Sequence, residues 1–209
     1  WFVDRDEMWS RIVRVAEAEP NPGVLRFFAG HVLARLLSEP DSLEPIVLDL
    51  AARNFPTAGQ RRTINEHIYE LITALWLIHA REQSHAWLET KLADDPVAAR
   101  DFLFEATGVA GQLIGAGYED DERIEVRMRA QALLSAIIQR SADAFEEQLA
   151  LPEDGRDPER LKANIELLDN AVRRIQSAAL GTGRTEEGRG LNASVARAHF
   201  LQDLAPMLR

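Results

Sequence analysis

Apolar residues recur at intervals of three and four along most of the chain, and no segment sustains the strict alternation of a half-buried strand. The first run follows Asp4 and Glu7, which stand at capping-box spacing, and carries Met8, Trp9, Ile12, Val13 and Val15 to about Glu19. Asn21-Pro22-Gly23 ends it. A second run places Phe27, Phe28, Val32, Leu33, Leu36 and Leu37 on one face and stops at Glu39-Pro40; the short connection predicts that these two helices lie antiparallel. A third helix is expected from about Ser42 to Arg53, with Leu43, Ile46, Val47 and Leu50 inward and Asn54-Phe55-Pro56 closing it. Thr57 and Gln60 then repeat the capping-box signature.

From Ala58 to Leu92 no proline intervenes and, after Gly59, no glycine, so the stretch reads as two helices joined near His79 to Ser84. Asp95-Pro96 has the form of an N-cap followed by a first helical residue, where the missing proline donor costs a helix nothing. That helix is expected to end at Gly115-Ala116-Gly117. The acidic cluster Glu119 to Glu122 suits the positive end of another helix, whose buried side carries Val126, Leu133, Leu134, Ile137, Ile138, Phe145 and Leu149. Pro152 to Gly155 forms a turn. Asp157-Pro158 then starts a helix with Leu161, Ile165, Leu167, Leu168, Val172 and Ile175, ending near Leu180. Residues 181–190 read as a flexible glycine-rich linker, and residues 191–209 as a C-terminal helix bearing Val195, Phe200, Leu201 and Leu204. The fold class is all-α.

The caps Asn21, Thr57 and Asp95 lie 36 and 38 residues apart, and each is followed five positions later by a basic residue: Arg26, Arg62 and Arg100. Asp157 with Lys162 makes a fourth, after a longer interval. In the turn and the start of each second helix, Asn21-Pro22 with Arg26 and Asp95-Pro96 with Arg100, the chain resembles the HEAT-like helical-repeat proteins, mainly over residues 1–116. The resemblance implies stacked antiparallel helical hairpins, an α-solenoid, presenting an extended surface to protein partners, with no catalytic residues to carry over. The two long helices after Glu119 depart from the pattern, which leaves a helical bundle as the alternative. The expected organisation is one helical-repeat domain over 1–180, or repeats over 1–116 and a long hairpin over 119–180.

Charge narrows the partners. With 34 acidic against 24 basic residues the net charge is -10, which repels phosphate backbones and anionic lipid head groups, so nucleic acid is disfavoured as the main partner. Phe102 to Gly117, the most apolar long stretch, is too short to cross a bilayer and contains Glu105. The absence of cysteine excludes disulfides, thiolate nucleophiles and Cys-ligated zinc, and fits the cytoplasm. Arginine outnumbers lysine, which occurs only at Lys91 and Lys162, a bias that points to a GC-rich bacterial genome. A chain that begins at Trp1 is expected to be a segment of a larger protein.

No constellation of the kind that catalysis or a cofactor requires stands out. His79, Glu82 and His85 are spaced by three and form an outside candidate for a metal site, but the second Glu-x-x-His segment of a di-iron bundle is missing. Gly181 to Gly188 lacks the strand and the Gly-Lys-Ser/Thr ending of a phosphate loop. Gly108, Gly111 and Gly115 recur on one side of a helix and permit close approach by a neighbour. Arg123, Arg127 and Arg129 with Arg140, and Arg61 with Arg62, read as solvated faces laced with acids, and Trp76 and Trp87 as core. The expected function is a non-enzymatic protein-interaction or scaffold module with Arg26, Arg62, Arg100, Trp1 and Phe2 as contact candidates. The alternatives are a regulatory region of a multidomain signalling ATPase and a metal-dependent helical-bundle enzyme.

Overall fold

A computed structural model describes residues 40–53, 62–115, 121–177 and 186–204, together with positions 7, 10, 11 and 14. Among the described residues there are seven helices with defined ends, a short 3-10 turn at Glu153–Gly155, and no strand. The helices are α1 (Pro40–Ala52), α2 (Arg62–His79), α3 (Glu82–Ala93), α4 (Arg100–Gly115), α5 (Asp121–Ala150), α6 (Pro158–Ser177) and α7 (Glu186–Leu204). No helix is long and apolar enough to cross a membrane among the described residues. The two helices expected before Pro40 lie outside them, apart from the four N-terminal positions, as do Asn21-Pro22-Gly23 and the Thr57 cap.

The chain divides into two compact units, residues 1–86 and 87–209, with the boundary inside α3. In the first, α1 packs on α2. Leu43, Val47 and Leu50 of α1 and Ile68, Ile72 and Leu75 of α2 are fully buried, each burial contributing about 1.5–3 kcal/mol. The expected break between α2 and α3 is present: Ala80 has φ 51, a left-handed conformation that a helix cannot continue through. Its N–H still bonds to the Trp76 carbonyl at 2.9 Å, and the Arg81 N–H reaches the Leu75 carbonyl at 3.2 Å. Two residues then suffice to turn the chain into α3.

In the second unit α5 is the central helix, packed against α4, α6 and α7. That position explains its sequence. From Ala130 to Phe145 most side chains are buried, Leu133, Leu134, Ile137, Ile138 and Phe145 among them, so the apolar residues are not confined to one stripe. Seven residues separate α5 from α6, too few to span the roughly 45 Å length of α5. The two therefore form an antiparallel hairpin, as expected for 119–180. Arg140, well along α5, reaches the Asp94 carbonyl just before α4, so α4 is antiparallel to α5 as well.

Helices two apart run parallel. Along α4 and α6 the contacts advance together: Asp95 with Arg160, Arg100 with Glu166, Gly111 with Arg174. Along α5 and α7 they do the same, from Ser135 with Ser194 to Asp143 and Glu146 with Arg197. The glycines permit the first of these approaches. A Cβ built on Gly111 would lie 2.8 Å from the Arg174 Cβ, whereas one on Gly108 meets nothing nearer than 3.9 Å. The buried hydroxyl of Thr107 is satisfied within its own helix, donating to the Leu103 carbonyl at 2.7 Å.

Two boundaries differ from expectation. The α-helix after Asp95-Pro96 begins only at Arg100; residues 96–99 form a turn ahead of it, in which Asp95 Oδ1 accepts from the Val97 N–H at 2.9 Å. At the other end, α7 starts at Glu186, inside the stretch expected as linker. Glu186 and Glu187 favour a helix N-terminus electrostatically, and burial of Leu191, Ser194, Ala198 and Leu201 outweighs the cost of about 1 kcal/mol each for Gly188 and Gly190. α7 is consequently an integral part of the second unit.

Candidate functional site

The sequence candidates are dispersed. Trp1, Phe2 and Arg26 lie outside the described residues, and Arg62 is the first residue of α2. Arg100 is engaged within the chain: its guanidinium pairs with Glu166, tying α4 to α6. His79 is the last residue of α2 and Glu82 the first of α3, with Ala80 and Arg81 between them, so they do not share the face of one helix. His85 instead stacks on Trp76, with ring centroids 3.9 Å apart and planes inclined by 20°. Among the described residues no group of three or more histidines or carboxylates is placed to hold a metal ion. Trp76 and Trp87 are half-buried, and not full core; Trp87 packs its ring edge-on to Phe102 at 5.3 Å, with the Lys91 ammonium 5.8 Å from its centroid.

Three polar clusters carry most of the polar geometry, and only the caps of the second were marked by local pattern. In the first unit, Glu44 of α1 is only 3% exposed. Its Oε1 accepts from the N–H and the hydroxyl of Ser84, and its Oε2 from Arg81 Nε at 3.2 Å, while Arg81 Nη1 lies 2.5 Å from Asp41. Burial works against the Arg81 charge, yet the hydrogen bond to Glu44 and the charges of Asp41 and Glu44 outweigh it and raise its pKa. Glu44 thus caps α3 from a distant helix, a role that Arg81, lacking an acceptor, cannot fill locally.

The second cluster joins the starts of α4 and α6. Asp157 Oδ1 accepts from the N–H groups of Glu159 at 2.9 Å and Arg160 at 3.3 Å, and the Asp157 N–H donates to Gln148 Oε1 at 2.8 Å. Arg160 Nη2 reaches across to Asp95 Oδ2 at 2.7 Å. The two Asp-Pro caps that the sequence singled out therefore sit side by side, linked by an arginine one turn into the later helix. A small cavity of about 50 Å³ lies against them, lined by Asp95, Arg140, Glu147, Gln148, Arg160 and Asn164 among others.

The third cluster is a shallow depression of about 230 Å³ between α5 and α7. Arg197 spans its floor, with Nη1 2.8 Å from Asp143 Oδ1, Nε 3.0 Å from Glu146 Oε1 and Nη2 2.5 Å from Glu146 Oε2. The bidentate bond to Glu146 raises the Arg197 pKa against a smaller opposing effect of burial, with Asp143 adding to the rise. Ser194 closes one side, sharing a 2.9 Å hydroxyl contact with Ser135. Every charge here is matched by a neighbour from the same chain, which makes the cluster a clamp between helices.

No family model, curated protein or solved structure matches the chain.

Proposed function

We propose that this chain is a non-enzymatic protein-interaction or scaffold module, a stack of helical hairpins. The observation that carries the reading is the parallel pairing of α4 with α6 and of α5 with α7. In a closed up-and-down ring of four helices, the first and last pack together and parallel helices face each other across the diagonal. Here the first and last, α4 and α7, make no extensive contact, and the parallel pairs do. That connectivity supports a reading of hairpin upon hairpin, first helix on first and second on second, the arrangement of a HEAT-like α-solenoid. The caps Asp95-Pro96 and Asp157-Pro158 fall at corresponding places of the two hairpins, which fits a repeated unit.

A stack of this kind recognises partners with side chains displayed along its helices. Phe200 of α7, 63% exposed, and Phe104 of α4, 42% exposed, are the most exposed large apolar side chains described in the second unit and serve as its anchors. Arg100 pairs with Glu166 between α4 and α6, and these aromatics join the arginines as contact candidates.

Photo-crosslinking in the native host tests the reading, with a benzophenone amino acid at Phe104, at Phe200 and, as control, at the turn residue Asp154. The expected result is one protein partner crosslinked from Phe104 or Phe200 and not from Asp154, with the complex weakened at least tenfold by Phe200→Ala or Phe104→Ala. Equal crosslinking from all three positions, or unchanged affinity in both variants, overturns it.

A further inference from the structure

We draw no further inference here: the strongest candidate, the face of α7 that exposes Ala193, Ala196 and Phe200, is an unpartnered apolar stripe, and nothing in the structure shows what covers it.

Discussion

Glu44 and Ser84, 40 positions apart, meet at the start of α3, where Glu44 Oε1 accepts two hydrogen bonds of 2.8 Å from the N–H and the hydroxyl of Ser84. A buried carboxylate on α1 thereby supplies the cap that the Ala80-Arg81 break does not contain. The same group pairs with Arg81, so one side chain satisfies an orphaned donor at the start of a helix and receives a charge.

Replacing Glu44 with Ala is expected to cost about 2–4 kcal/mol, since it leaves the Ser84 N–H and Arg81 without their buried acceptor. Ser84→Ala alone should cost about 1 kcal/mol. The two losses overlap, and chemical denaturation of the double variant should show a coupling of about 0.5–1.5 kcal/mol; strictly additive losses would mean that the two residues do not interact.

Two glycines of α4 should respond in opposite directions. Gly111→Ala places a methyl 2.8 Å from the Arg174 Cβ, which the backbones of α4 and α6 must move to relieve, at about 1–3 kcal/mol. Gly108→Ala meets only ordinary contact at 3.9 Å and gains helix propensity, so it should stabilise by up to about 1 kcal/mol. Thermal melts that move both variants the same way would exclude the close approach at Gly111.

The parallel register of α5 and α7 can be locked covalently, because the chain has no cysteine to compete. Ser135→Cys with Ser194→Cys places two thiols where hydroxyls now lie 2.9 Å apart. Oxidation should give a monomeric species of altered mobility on non-reducing gels, stabilised by about 2–4 kcal/mol over its reduced form. Failure to form the bond in the folded protein would contradict the parallel register of α5 and α7.

The Arg197 clamp should hold its worth across ordinary pH. A basic group whose pKa is raised on folding contributes stability that is complete below its unfolded pKa and fades only as pH climbs through the folded one. For Arg197 both values lie above the working range, so Arg197→Ala should cost the same at pH 7 and pH 10 in denaturant titrations. Because its partners are about half exposed, that cost should be near 1 kcal/mol and should shrink in high salt. A difference that changes sign or vanishes by pH 10 would contradict the clamp.

Local chemistry made several of these features legible before any tertiary information. The Asp157-Pro158 start, the α2 to α3 join near His79, the long hairpin of α5 and α6 and the glycine face of α4 depend on backbone conformation and hydrophobic period within a few residues, so each is written in its own segment. That Arg100 pairs with Glu166 was not legible, because a cap followed by a basic residue has the same local pattern whether that residue faces open solvent or a carboxylate of another helix.

Packing decided the rest. The partners of Glu44, Arg100 and Ser135 lie 40, 66 and 59 positions away, distances over which no periodicity specifies contact. Likewise the onset of α7 at Glu186 reflects the burial of Leu191 and Ala198 against its neighbours, which outweighs glycines that read locally as a linker. The sequence by itself determined that the chain is helical and where most of its helices begin, because capping and amphipathicity are short-range. Which helices lie side by side, and therefore which charges are ties and which aromatics stay exposed, only the tertiary structure decided, because those pairings come from filling a common core.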